Sequence, residues 1–212
     1  RMRTGKQSVP QYARFPMYST WYNYHQDIND DKLIEECKKA YELGMRSIIV
    51  DDGWQTENNG GGYAYCGDWR VCKSKIKDMR AFIDAIHNIG MKVILWYSVP
   101  FIGKNSDIWA EFKGKYLDNE ENEWNCLDPR FPEVREYLAG LYEKAALEWK
   151  LDGFKLDFID SFELTEYSDK TGAGRDFESL EDAIECMLGD ITERLKKINP
   201  DVLLEFRQSY IG

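Results

Sequence analysis

Gly153-Phe154-Lys155-Leu156-Asp157-Phe158 is the stretch on which the reading of this chain turns. It is short and alternates in character, so it reads as a β-strand with Phe154, Leu156 and Phe158 on one face and Lys155 and Asp157 on the other. If the second face is the inside of a parallel barrel, both charges need compensation, because an isolated buried charge costs several kcal/mol or more. Mutual pairing supplies it and leaves a carboxylate at the end of an inner strand, aimed at the mouth. A purely structural ion pair is the plain alternative. The position at the C-terminal end of a strand favours a functional group.

Working outward, the sequence alternates strands and helices. Helices are expected at residues 30–43, 79–89, 132–149 and 180–198 from apolar spacing and punctuation: Asn29 or Asp30 as an N-cap, Gly44 and Gly90 as stops, Pro132 in a first turn, and Asn199-Pro200 as an end signal. Short apolar runs at 17–22, 47–50, 92–97, 153–158 and 202–206 are the expected strands. Strands alternating with helices imply a parallel sheet. A weak repeat agrees, since Gly44-Met45-Arg46 and Gly90-Met91-Lys92 each end a helix and open a strand.

The links carry more information than the elements. Every helix-to-strand link is short, whereas residues 53–78, 98–131 and 159–179 all follow the C-terminal ends of strands. The elaboration therefore lies on one side of the sheet, the side that carries the active site in barrels and doubly wound sheets. The expected fold class is α/β, a TIM-type (β/α) barrel of which this chain holds about the first five βα units. Residues 1–16, polar and containing Gly5 and Pro10, read as a linker from an upstream domain, and 17–212 as the N-terminal part of a catalytic barrel.

Composition narrows the ligand. The 212 residues carry 38 Asp and Glu against 28 Lys and Arg, a net charge of −10, which argues against nucleic acid or an anionic membrane surface. No apolar run approaches the ~20 residues that a membrane span needs. Seven Trp and 13 Tyr suit stacking on the apolar faces of sugar rings, although most aromatic residues serve packing. Cys37, Cys66, Cys72, Cys126 and Cys186 show no CxxC spacing, which favours a reducing, cytoplasmic compartment. The only histidines, His25 and His87, form no cluster, so a Ser-His-Asp apparatus or a histidine metal site is poorly supported. Gly60-Gly61-Gly62 lies mid-loop and reads as flexible rather than as a phosphate cradle.

Three further strand ends and one loop supply candidates. Val50-Asp51-Asp52-Gly53-Trp54 puts adjacent carboxylates where the strand turns at Gly53, although Asp-Gly is also a common turn pair. Leu95-Trp96-Tyr97 and Thr20-Trp21-Tyr22 place rings at the expected mouth, and Gly67-Asp68-Trp69 lies in the long loop after the second strand.

Taken in order, Asp51-Asp52-Gly53-Trp54, Gly67-Asp68-Trp69, Gly90-Met91-Lys92 leading to Leu95-Trp96, Leu127-Asp128-Pro129 with Pro132-Glu133-Val134-Arg135, and Lys155-Leu156-Asp157 resemble glycoside hydrolase family 36 and its clan of α-galactosidases, across residues 17–212. The resemblance implies a retaining hydrolase of terminal α-D-galactosides that works without a cofactor, with Asp157 as nucleophile. It also implies galactose recognition by Asp51 and Asp52, a sugar-facing Trp96, and Lys155 beside the nucleophile. Trp21, Asp68, Trp69 and Arg207 complete the substrate-binding candidates. The implied partner is an α-galactoside oligosaccharide or glycoconjugate, and a homo-oligomer is compatible with it. The sequence departs from the family in Leu156, where a tryptophan is common, and in Glu205-Phe206-Arg207-Gln208-Ser209, where a cysteine- and serine-rich segment is common. The family's acid/base carboxylate follows a sixth strand and is expected outside this chain.

Retaining hydrolysis needs two carboxyl groups ~5 to 5.5 Å apart, one attacking and one protonating. Rival readings use the same face. An α-N-acetylgalactosaminidase or galactosyl transferase of the clan is one. Asp52, Asp157 and Glu205 holding Mg²⁺ with Lys155 as base is another, a Lys155 Schiff base a third, and a sugar-binding fragment without turnover a fourth.

Overall fold

A computed structural model describes residues 9–168 and 173–206. Its centre is a sheet of five parallel strands, β1 (Met17–Ser19), β2 (Ser47–Val50), β3 (Lys92–Ser98), β6 (Gly153–Asp157) and β7 (Leu203–Phe206), hydrogen-bonded in that order. Neighbours in the sheet follow chain order without reversal, the topology of a barrel wall; a doubly wound sheet reverses at its switch point. Among the described residues the wall is an open arc with β1 and β7 at its edges. The structure is α/β and a partial TIM-type barrel, as the alternation implied.

The helices follow their punctuation. α2 (Asp30–Glu42) is capped by the Asn29 side chain, which accepts from the Lys32 N–H, and α3 (Met79–Ile89) by Asp78, which accepts from Ala81. Gly90, at φ 98°, adopts the left-handed conformation that ends α3. α4 (Pro132–Trp149) opens on proline, and α5 (Leu180–Ile198) is capped by Ser179. Ile48, Val50, Val93, Leu95, Tyr97, Phe154 and Leu156 are all fully buried. Each is worth roughly 1.5–3 kcal/mol of transfer free energy. Tyr142 of α4 meets Tyr97 and Phe154 edge-on, which seats that helix on the outer face of β3 and β6.

Two local readings need correction. The expected strand at 17–22 stops at Ser19, and Trp21–Tyr24 form a short helix, α1. The Thr20 carbonyl accepts from Tyr24 N–H at 2.9 Å while the Thr20 N–H still reaches Ile49, so the chain leaves the sheet at that residue. The loop at 98–131 contains a hairpin, β4 (Phe101–Gly103) against β5 (Trp124–Cys126).

Register sorts the inner face into layers. Trp96, Lys155 and Glu205 align across β3, β6 and β7, and Ser98 aligns with Asp157 one layer nearer the C-terminal ends. Residues 11–14, within the expected linker, form a 3-10 turn docked on the opposite end of the sheet, where Tyr12 Oη donates to the carbonyls of Asp152 and Asp201 at 2.8 and 3.1 Å. No described helix is long and apolar enough to cross a membrane.

Candidate active site

At the C-terminal ends of β2, β3 and β6 the fold gathers Asp51, Asp52, Trp96, Lys155 and Asp157, all buried. Lys155 Nζ lies 2.6 Å from Asp51 Oδ2 and 3.7 Å from Asp157 Oδ2. The expected partner on its own strand is thus the more distant one. β2 and β6 flank β3, two strand spacings or roughly 10 Å apart, a gap that lysine and aspartate side chains close together. One ammonium therefore serves two carboxylates, and the shorter contact is the hydrogen bond.

Asp157 is enclosed. Its Oδ2 accepts from Trp96 Nε1 at 2.9 Å, its Oδ1 from the Phe158 N–H at 3.0 Å, and the residue is 1% exposed. Trp96 itself is 1% exposed, so it offers Asp157 the edge of its indole rather than an open face for a sugar to stack on. The Trp96 carbonyl accepts from Trp54 Nε1 at 2.9 Å, which ties the strand end to the Asp51–Trp54 turn. Immediately after Asp157 the backbone of Phe158 is left-handed, φ 64°, a conformation costly to a residue with a Cβ. Its ring is held 5.1 Å from those of Tyr63 and Phe101.

Asp51 and Asp52 diverge as adjacent strand residues must. Asp51 turns to Lys155, while Asp52 accepts from Gln26 Nε2 and Gln55 Nε2, both at 2.7 Å. Burial raises the Asp52 carboxyl above the usual range; the bonds from Gln55 and Gln26 oppose the rise and the Asp51 charge adds to it. Among the described residues no cation pairs with Asp52.

The other sequence candidates stand elsewhere. Trp21 lies on α1 and packs edge-on against His25 at 5.0 Å. Asp68 caps a 3-10 helix, accepting from the N–H groups of Asp107 and Ile108 at 2.9 and 3.1 Å. Trp69 is 5% exposed and stacks on Trp54 at 5.8 Å in the core, because the long loop folds back onto the sheet instead of standing in solvent. Arg207 lies outside the described residues. Glu205 shares the layer of Lys155. Among the described residues no group of three His, Cys, Asp or Glu side chains could hold a metal ion, so the Mg²⁺ reading finds no donor set there.

Gln26, Gln55 and Lys75 were not legible as site residues. Lys75 is 7% exposed and its ammonium donates to the carbonyls of Gln26 and Gly53 and to Asn59 Oδ1, at 2.6, 3.0 and 2.6 Å. A glutamine or a loop lysine carries no spacing signal; its role appears only when the fold supplies its acceptor.

The Melibiase family model matches residues 3–209, nearly the whole chain. The chain belongs to the Melibiase family. Among the chain's relatives is alpha-galactosidase Mel36A of Lactobacillus acidophilus, 31% identical over 154 residues, which are 68% of this chain and 20% of that protein. The bifunctional alpha-galactosidase/sucrose kinase AgaSK of Mediterraneibacter gnavus is 27% identical over 199 residues, 89% of this chain and 20% of that protein. The chain thus spans about a fifth of the length of these relatives. Solved structures share its fold. The galactosidase domain of AgaSK superposes with a TM-score of 0.71 at 23% identity, covering 91% of this chain and 26% of that one. The GH36 alpha-galactosidase AgaA of Geobacillus stearothermophilus, in complex with stachyose, superposes with a TM-score of 0.75 at 17% identity, covering 94% and 29%.

Proposed function

We propose that the complete protein containing this chain is a retaining α-galactosidase, cleaving terminal α-D-galactosides through a covalent glycosyl-enzyme in which Asp157 is the nucleophile. The observation that carries the reading is the shared ammonium: Lys155 between Asp51 and Asp157, with the Trp96 indole on the same Asp157 oxygen, at the C-terminal ends of adjoining parallel strands. A nucleophile must hold its charge, and the Trp96 N–H on Oδ2, the Phe158 N–H on Oδ1 and the Lys155 ammonium at 3.7 Å stabilise the buried carboxylate. In the same reading Asp51 and Asp52 accept sugar hydroxyls, and an acid/base carboxylate outside this chain protonates the leaving oxygen. α-Galactosidases at 31% and 27% identity, and a stachyose complex among the fold neighbours, support an oligosaccharide substrate.

The reading sets a condition of access. Asp157 is 1% exposed, so a sugar reaching it displaces a covering side chain. Incubating the complete protein with a 2-deoxy-2-fluoro-α-galactosyl reagent and mapping the labelled peptide tests both parts. Label on Asp157 is the expected outcome; label on another carboxylate removes the assignment, and turnover of an aryl α-galactoside giving the β-anomer first removes retention.

A further inference from the structure

We propose that Gln26 and Gln55 are positioning residues, a pair of amides that hold the Asp52 carboxylate in the orientation in which it receives hydroxyls of the sugar. The inference rests on the galactoside reading for its ligand and on geometry for the rest.

Each amide donates to a different oxygen of Asp52, Gln26 to Oδ2 and Gln55 to Oδ1, both at 2.7 Å. One amide per oxygen fixes the rotation of the carboxylate, which with the Gly53 backbone bond counted still has accepting capacity for a hydroxyl. The amides are themselves fixed by what their carbonyl oxygens accept. Gln55 Oε1 takes the Gly53 N–H at 3.1 Å, and Gln26 Oε1 takes the Gly61 N–H at 2.9 Å. Those acceptors decide which end of each side chain is the NH₂ and therefore aims it at Asp52.

The backbone beneath is clamped as well. Gly53 has φ 116°, and a Cβ there would lie 2.5 Å from the Gln26 carbonyl oxygen, so only glycine allows the turn after Asp52 to lie against Gln26. Lys75 bonds the carbonyls of both residues from below. Gln26 comes from the segment after α1 and Gln55 from the turn after β2, so Asp52 is held from two sides of the chain.

Neutral donors matter because of what else faces this carboxylate. Asp51 is adjacent and shares Lys155 with Asp157; Lys75 and the buried thiol of Cys66 lie within electrostatic reach. With Lys155 engaged by Asp51, the two amides are the side chains that favour the ionised form of Asp52 by direct bonds, beside the Gly53 backbone, and they keep their protons at every pH of interest.

The test uses the complete protein with Gln26→Met, Gln55→Met and Gln55→Glu. For an aryl α-galactoside, each methionine variant should raise KM about tenfold, the size of one hydrogen bond to a charged group, with kcat within about threefold of wild type. Gln55→Glu should bind poorly at pH 7 and recover toward pH 5, where the introduced carboxyl takes up a proton and again offers a donor. A second readout needs no substrate. The amides stabilise ionised Asp52 in the folded state alone, so the melting-temperature gap between wild type and Gln55→Met should be full at pH 7. It should narrow as pH falls through the raised Asp52 value toward about pH 4. A gap independent of pH, or a fall in kcat at unchanged KM in the folded variants, overturns the proposal. If the wild-type protein cleaves no α-galactoside, the galactoside reading fails and the melting gap still decides the amide pair.

Discussion

The two ends of β6 each hold an aspartate, and the two are treated in opposite ways. Asp152, just before the strand on the N-terminal face, accepts from His87 Nε2 at 2.6 Å, from the Val93 N–H at 2.9 Å and from Lys92 Nζ at 2.9 Å. Burial would raise its carboxyl, but these bonds outweigh burial and hold it below the usual carboxylate range. At the C-terminal end Asp157 and Asp51 divide one ammonium, and Asp52 beside them is raised. Below, three donors surround one carboxylate; above, among the described residues, three carboxylates gather near the Lys155 ammonium. The lower arrangement stabilises the fold, whereas the upper one keeps acceptor oxygens available at a cost in stability, the division of labour expected between the two faces of a β/α barrel.

The contrast is broken most severely at Asp157. Asp157→Ala in the complete protein should lower kcat for an aryl α-galactoside by at least about 10³-fold, more than about 4 kcal/mol of transition-state stabilisation. Chemical denaturation should find the same variant within about 2 kcal/mol of wild type, since the loss of an acceptor for the Trp96 indole and the Phe158 N–H is offset by relief of a buried charge. An unfolded Asp157→Ala protein would mean that the upper cluster is structural after all. Next in size is Lys155→Met, which keeps the length of the side chain and removes the ammonium that the buried Asp51 and Asp157 share. It should cost about 3–5 kcal/mol at pH 7. A loss below about 1 kcal/mol in urea would show that the two carboxylates do not depend on that ammonium.

Part of this contrast was legible in the chain and part was not, for physical reasons. The helices at 79–89, 132–149 and 180–198 stand where caps and apolar spacing put them, because Asp78, Pro132, Ser179 and Gly90 act through contacts within a few residues. The strand at 153–157 was legible because alternation assigns faces without knowledge of neighbours. What failed depended on other segments. Residues 17–22 look like a strand because α1, four residues long, is too short to show helical period. The β4–β5 hairpin joins two three-residue strands across 20 intervening residues, beyond any turn signal. Lys155 was matched to Asp157 from spacing, but its closer partner arrives from two strands away. Trp69 read more readily as part of a solvated loop than as a binding ring, whereas the loop carries it into the core against Trp54.

The lower face offers a smaller and cleaner test. Asp152→Asn removes the acceptor for His87 and Lys92, whose side chains are 28% and 46% exposed, so solvent screens part of the loss and about 1–2 kcal/mol at pH 7 is expected. The sign follows from the depressed carboxyl. The stability that Asp152 contributes is present above the unfolded value near 3.9 and is lost as pH falls through the lower folded value. The wild-type advantage should accordingly be steady from pH 7 to about 5 and shrink below about 4. An advantage that instead vanishes between pH 7 and 6 would assign it to another group.

Tyr12 marks the smallest expected effect and separates the two faces most sharply. Its hydroxyl joins the N-terminal 3-10 turn to the carbonyls of Asp152 and Asp201, one residue at the start of β6 and one shortly before β7. Removing the hydroxyl leaves the Asp152 carbonyl with its bond from the Leu203 N–H and opens the exposed Asp201 carbonyl to water, so Tyr12→Phe should cost about 1 kcal/mol, the net value of an ordinary hydrogen bond. The group donates as a neutral hydroxyl, and burial raises its ionisation still further from neutrality, so the cost should be the same from pH 5 to 9. The strand that carries Lys155 and ends at Asp157 begins at this contact. If Tyr12→Phe loosened the docked turn but left the kcat and KM of the complete protein unchanged, the lower face would be confined to stability. A shift in KM would mean instead that β6 transmits its anchoring at Asp152 to the carboxylates at its other end.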